Sequence, residues 1–471
     1  MVFCSVFSDC KLAFKQTRTW KRAQVLAEGL LGCVGRNTVT GMISATGQQF
    51  KDWSAAYRLF QGDRMDTEKL LSIIRKNVAD AVSANEQEIY AHMDDTLLRK
   101  SGKKVAGAKW MRDPLGPPFQ TNLVWGQRFI QLSLSLCPRM GMVQATSVPV
   151  DLHHCPSALR PKKNSPKEEH DLFRETQKKT KLSIIGSQRI SALRKGLDCD
   201  GHSEKSLVMS VDGSYTNETV LKKLDRNVIL IGRIRKDCKL HEAPDNAQIK
   251  AKGRKLVYGK ELPTPEEIRQ SDKYEWQDIK AWAAGKVHTF QVKTLEPVRW
   301  RKSGPMNLRL VVIRPVGYRL TKKSKMLYRD PAYLICTSTE LSLEKLLQAY
   351  LWRWGIEVNF RDQKTLLGCG QAQVRKEIPC SKVPQFITAV YSMLLVSASK
   401  AKITELPRPK WYIKKSSQRT TTQDLINQFK AISWTDSVRI NFSDFVAMEQ
   451  KQQSAKNNPI HSLSNLFYAR N

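Results

Sequence analysis

Apolar residues recur every three or four positions through the first eighty residues, in QVLAEGLLGCVG (24–35), DWSAAYRLFQG (52–62) and TEKLLSIIRKNVADAVSA (67–84). That is the period of helices burying one face. From Gln87 the period shortens. EIYAHMDDT (88–96) reads as a short apolar strand ending in acid, TNLVWGQRFIQLSLSL (121–136) alternates and is rich in branched and aromatic residues, and GMVQATSVPVDL (141–152) continues it. DPLGPP (113–118) breaks the chain between the first two strands. A polar connection at 160–180 runs into a helix ending near ALRKGL (192–197). SLVMSVDGSYTN (206–217) is then a buried strand with Asp212 at its end and a turn, followed by a helix through ETVLKKL and a strand at NVILIGRIR (227–235). The order β-β-β-α-β-α-β predicts a mixed sheet rather than a doubly wound parallel one.

From about Lys236 to Pro331 polar, Pro-containing and extended stretches (VHTFQVKTLEPVRW, LRLVVIRPVGYRL) predict a β-rich insertion. AYLICTST (332–339) is the next strand, and Ser342 with Glu344 caps the helix after it. The tail holds an apolar helix (384–402), a basic loop with Trp411, and a helix through TTTQDLINQFKAISW (420–434). The expected organisation is α/β: a helical region at 1–86, a first core part at 87–235, the insertion at 236–331, core completion at 332–369 and a helical basic region at 370–471. No internal repeat is visible.

Charge sharpens the picture. The chain has 471 residues, 41% of them apolar, with 11 Trp, 12 Tyr and 15 Phe, enough for a core within two or three domains. Lys and Arg number 78 against 44 Asp and Glu, a net +34. The excess recurs along the chain (RPKKNSPK, RIRKDCK, VRWRK, RLTKKSK) rather than sitting in one tail. A polyanion is the partner this suits, since Lys and Arg on phosphates release counterions. Ten cysteines contain no C-x-x-C pair, and His153-His154-Cys155 lacks a second ligand pair at zinc-site spacing, so it reads as structural. Nucleotide-loop, zinc-protease and serine-hydrolase motifs are missing. With no run of 18 apolar residues and no signal-peptide pattern, a soluble cytoplasmic protein is expected.

Read as one helix, AYLWRWGIEVNFRDQKTLLG (349–368) puts Tyr350, Arg353, Glu357, Arg361 and Lys364 within about 60° of one line, at roughly 100° per residue. An apolar face lies opposite. Such a stripe is ordinarily a solvated face with i,i+4 ion pairs. Three acids change its weight: Asp95 (or its neighbour Asp94) closing the first strand, Asp212 closing a later one, and Glu357 in the stripe. Separately each reads as turn, cap or surface chemistry. Converging, three hard oxygen ligands suit Mg²⁺ or Mn²⁺.

The stretch resembles the Y-x-x-R-x-x-x-E-x-x-x-x-x-x-K signature of bacterial insertion-sequence transposases of the DDE class, the hairpin-forming, cut-and-paste subgroup. Tyr350, Arg353, Glu357 and Lys364 complete the spacing, with Trp354 and Ile356 in the family-like RW.IE. DDT resembles the first-acid motif, which favours Asp95 with Asp94 as runner-up; VDGSYTN resembles the second-acid segment, and DWSAAYRLF the N-terminal domain. The resemblance implies an RNase H-like core in which Asp95, Asp212 and Glu357 hold two Mg²⁺ ions, with Mn²⁺ able to substitute. It also implies a phosphate grip by Tyr350, Arg353 and Lys364. Arg361 and Trp354 are further candidate DNA contacts on the same stretch. Tyr333 stands where some members stack a flipped base on Trp, and Gly213 stands where some carry Arg. Implied partners are double-stranded DNA (element ends and target) and a second copy of the chain, with no membrane and no nucleotide cofactor. A nuclease of the same fold without strand transfer, or a domesticated DNA-binding relative, are the rival expectations.

Overall fold

The structure, a computed structural model, describes residues 2–447 except 83–84, 114–115, 117–118, 138–142, 157, 159, 245–255, 320, 322–323 and 403–419. The Trp411 loop and most of the DPLGPP break lie outside the described residues.

The N-terminal helices are α1 (Val2–Asp9), α2 (Thr17–Gly32), α3 (Val39–Ala45), α4 (Ser54–Leu59) and α5 (Thr67–Asp80). Asp66 caps α5 through the Lys69 amide. The periodic segments form α2, α4 and α5. The unheralded α1 buries Val6 and Phe7, and its eight residues make about two turns, too short to show a period.

The core follows with β1 (Glu88–Arg99), β2 (Lys109–Arg112), β3 (Leu123–Leu136), β4 (Thr146–His154), α6 (Lys167–Lys179), α7 (Leu182–Cys199), β5 (Ser206–Val211), α8 (Glu218–Leu221) and β6 (Val228–Arg233). Then come β7 (His241–Glu242), α9 (Pro265–Gln270), β8 (Gln277–Ala283), β9 (Lys286–Arg299), β10 (Leu308–Ile313), β11 (Gly317–Tyr318), β12 (Leu327–Tyr328) and β13 (Ala332–Cys336). The chain closes with α10 (Leu343–Trp352), α11 (Trp354–Thr365), α12 (Glu377–Lys400) and α13 (Thr422–Ala447).

One mixed sheet runs β2-β3-β1-β5-β6-β13-β10-β9-β7, with β4 added to β3 and β8 to β9. The pairs β1–β5 and β5–β6 are parallel, and the rest are antiparallel. Helices cover both faces, the RNase H-like arrangement expected. The β-rich stretch after Lys236 joins this sheet through β10 on β13. The short α9 is held at its C-terminal end by Lys293, only 2% exposed, whose Nζ donates to the carbonyls of Ile268, Arg269 and Ser271 at 3.2, 3.0 and 2.8 Å.

The α12 helix is buried almost all round, packing on β4, α5 and α1. Among the described residues no helix is long and apolar enough to cross a membrane.

Candidate active site

In the parallel pair β1–β5, Tyr90 stands beside Val208, His92 beside Ser210 and Met93 beside Val211. One step further brings Asp94 level with Asp212. Alternate residues of a strand share a face. Tyr90 and Val208 pack in one apolar cluster with Trp352 of α10, the Tyr90 and Trp352 rings meeting edge-on at 5.5 Å. Ala91, Met93, Met209 and Val211 belong to the other cluster, with Tyr215. Asp94 and Asp212 therefore face α10 and α11.

Asp95 does not. It turns to the opposite face, where the Tyr215 hydroxyl donates to its Oδ1 at 2.9 Å and Arg128 Nη1 lies 3.5 Å from its Oδ2. Of the two, it is the runner-up Asp94, rather than Asp95, that this strand presents to the α10 and α11 face. Neighbours on a strand point to opposite faces, so DDT offers one acid to each. Both faces of β1 are covered, which leaves no polar–apolar alternation to show which acid faces the helix. Nor does the strand end at the acids: β1 stays paired with β3 out to Arg99.

The expected single helix at 349–368 is two. Arg353 lies between α10 and α11, and i→i−3 bonds tighten the joint, from the Arg353 amide to Tyr350 O at 3.2 Å and from the Ile356 amide to Arg353 O at 3.0 Å. Gly355 makes the turn possible against β4, since a Cβ there would lie 2.6 Å from Ser147 Cβ. The break sets the Arg353 guanidinium between two acids, Nη2 at 3.1 Å from Glu357 Oε1 and Nη1 at 3.7 Å from Asp94 Oδ2. The Tyr350 ring lies 5.9 Å from the same guanidinium. Burial, and then the Asp95 and Asp212 charges, push the Asp94 carboxyl up to about 7 against the pull of the Asp95 amide and Arg353.

Among the described residues, no three His, Cys, Asp or Glu side chains close into a metal-binding group. The donor set nonetheless suits a hard divalent cation: carboxylate oxygens on one face, one of them reluctant to ionise without added positive charge. Arg353 supplies positive charge between Asp94 and Glu357.

Three buried polar residues, unremarked by the sequence pattern, support these groups. Asn359, on α11, donates to Ser147 O at 2.9 Å and Tyr391 Oη at 3.2 Å, and accepts from the Ser133 and Ser147 hydroxyls. Gln363 donates to Gln131 at 2.9 Å. His92, fully buried on the Asp94 face, has Nε2 2.7 Å from Ser135 Oγ. Burial first, and Arg353 second, hold its pKa down to about 3. Below its ordinary 6.5 the unfolded chain takes up a proton that the folded one refuses. His92 therefore subtracts stability as pH falls from 6.5 toward 3, by up to about 1.4 kcal/mol per pH unit. Urea unfolding at pH 5 and 7 is expected to show a smaller acid loss in His92→Gln than in the wild type; equal losses would remove His92 from the acid sensitivity.

The remaining predicted contacts separate. Lys364 lies in the last turn of α11, about 10 Å along the axis from Glu357. Burial, then Arg99, depress its pKa, while Cys369 and Asp113 raise it, and its Nζ lies 5.8 Å from the Phe360 ring. Arg361 turns to Asp362, with Nε and Nη2 at 3.0 and 2.9 Å, but stays 66% exposed. Trp354 is 61% exposed, a bare ring beside Arg353. Tyr333 departs from expectation: it is 4% exposed and its hydroxyl donates to Glu266, so it offers no ring face for a base. It forms the wall of a cleft of about 1010 Å³ that begins at Gly213, next to Asp212. Arg233, Arg235, Lys236, Arg269 and Lys302 give that cleft a basic lining.

No curated protein matches the chain. Residues 9–305 match the model of the family described as DDE superfamily endonuclease. The matched span holds Asp94, Asp95 and Asp212, and it ends before α10 and α11. With more than half its length so matched, the chain belongs to the DDE superfamily endonucleases.

Proposed function

We propose that the chain is a DNA transposase that cuts at the ends of its mobile element and joins them to target DNA. One observation carries the reading: Asp94 and Asp212 lie level on one face of the sheet, under a helix whose Glu357 is held there by Arg353. Asp94, Asp212 and Glu357 would hold divalent metal, Mg²⁺ or Mn²⁺, in keeping with a family of metal-dependent nucleases. Two bound ions would supply Lewis-acid polarisation of the scissile phosphate and a deprotonated water at neutral pH.

The chain's own residues bind and aim the DNA. Arg353 and Lys364 grip phosphates on either side of Glu357, Arg through its planar fork and Lys as a point charge. Tyr350 keeps Arg353 in place, Arg361 adds an exposed cation, and the basic cleft beside Asp212 takes the strand as it leaves the site. Water attacks the end phosphodiester and frees a 3′-hydroxyl. In the hairpin route that hydroxyl attacks the opposite strand, water reopens the hairpin, and the new 3′-hydroxyl attacks target DNA. With Tyr333 buried, the exposed Trp354 beside Arg353 is the ring we assign to stacking an unpaired base. Holding two ends together calls for at least a dimer on DNA.

The test is cleavage of a labelled duplex carrying the element's own end, in Mg²⁺, Mn²⁺ or EDTA, for wild type and Glu357→Gln, on a gel that resolves nicks from hairpins. The expected outcome is a metal-dependent nick followed by a hairpin, both lost in the variant while duplex binding persists. Nicks without hairpins would leave a nuclease and remove the hairpin route. Binding without cleavage in either metal would mark a DNA-binding relative instead.

A further inference from the structure

Asp95 faces away from the candidate metal ligands, yet it is engaged in a specific contact with the segment that bears one of them. Tyr215 lies three residues after Asp212, and its amide donates to Asp212 O at 3.0 Å, closing the turn. Its ring is 1% exposed and sits on α7 at Gly186, where an added Cβ would come within 2.9 Å of the ring. Its hydroxyl reaches Asp95 on the neighbouring strand, at 2.9 Å. Thr216 is seated in the same way. Its Oγ1 donates to Asp212 O at 3.1 Å, and a Cβ at Gly232 would lie 2.2 Å from that Oγ1. Packing thus fixes where the turn lies, and the hydroxyl bond adds a side-chain tie to β1, the strand that carries Asp94, beyond the ladder that ends at Met93 and Val211.

Resting on the metal-dependent cleavage reading above, we infer that Asp95 and Tyr215 are positioning residues: their hydrogen bond, on the far face of the sheet, joins the turn after Asp212 to β1 and sets Asp212 relative to Asp94, so that the two carboxylates bind one divalent cation together. A hydrogen bond to a charged carboxylate is among the stronger neutral-donor contacts in a half-buried site. Asp95 itself touches neither metal nor DNA.

The experiment uses the full chain. Mn²⁺ binding to the DNA-free protein is measured by loss of the free-ion EPR signal, beside melting temperature and nicking as a function of Mn²⁺. Tyr215→Phe keeps the ring on Gly186 and removes only the hydroxyl. It is expected to raise half-saturating Mn²⁺ about tenfold, in binding and in nicking alike, the size of one lost hydrogen bond to a charged group. Asp95→Ala should match it. Asp95→Asn should stay within about twofold of wild type, because its amide oxygen still accepts from Tyr215.

Mn²⁺ binding unchanged in Tyr215→Phe, while Asp212→Asn abolishes it, would overturn the positioning role and leave the cleavage reading standing. A lower melting temperature with an unchanged Mn²⁺ midpoint would make the contact merely structural and overturn it too. Loss of Mn²⁺ binding in Asp95→Asn but not in Asp94→Asn would make Asp95 itself the ligand. Intact binding and nicking in Asp212→Asn would defeat the cleavage reading, and the inference with it.

Discussion

Asp94→Asn is expected to abolish nicking of an end duplex, by at least about a thousandfold or ~4 kcal/mol of transition-state stabilisation, while duplex binding changes little. The amide keeps the shape but cannot supply the charge a divalent cation needs. Phosphate contacts come from cations elsewhere, so affinity at fixed salt should hold. The adjacent Asp95→Asn should retain most activity, because Asp95, on the far side of the sheet, is no ligand and the amide oxygen still accepts from Tyr215. Reversed results for the two aspartates would mean that the strand presents its other face to the metal.

The same substitution has a stability signature without metal. The folded Asp94 carboxyl, raised from 3.8 to about 7, holds its proton more tightly than in the unfolded chain. Its contribution therefore falls away as pH rises through that interval, and Asn removes this slope. His92 slopes the other way below 6.5, so each is read as the difference between its own variant and wild type.

Replacing Arg353 by Met should have the second large effect. The guanidinium, with its side chain 15% exposed, is the cation between Asp94 and Glu357. Its loss leaves two carboxylates facing each other and costs about 2 kcal/mol in metal-free protein. Divalent metal should then raise the melting temperature more in the variant than in wild type, because positive charge is newly needed there. Cleavage should still fall at least about a hundredfold, and the salt dependence of duplex binding should flatten by about one counterion. Equal metal-induced shifts in the two proteins would show that Arg353 and the metal do not share the acids.

The elements with a clear period were legible in the sequence: α5 with its three- and four-residue spacing, β3 with its alternation, and β5 leading into Asp212. The mixed sheet followed from their order. What was not legible arose where tertiary contacts override local pattern. Arg353 has helical neighbours on both sides, and only the approach of Gly355 to Ser147 reveals the joint. DDT reads identically whichever aspartate faces the helix, because a strand covered on both faces loses its alternation. The sequence neighbours of Tyr333 place it at the strand start, but its ring packs into the sheet's apolar cluster and its hydroxyl bonds Glu266, 67 residues away in the chain. Asn359 and Tyr215 carried no motif; each acquires its role only from partners that the fold brings to it.

Because β13 is hydrogen-bonded to β6 on one side and to β10 on the other, the stretch between residues 236 and 331 is no detachable module. A deletion that rejoined β6 to β13 by a short linker would strip β10 from β13 and leave a five-residue apolar strand with one open edge. Such an edge invites pairing with another chain. Attempts to trim this protein to a minimal catalytic unit would then yield aggregates before they yield a smaller enzyme, whatever the excised residues do for DNA.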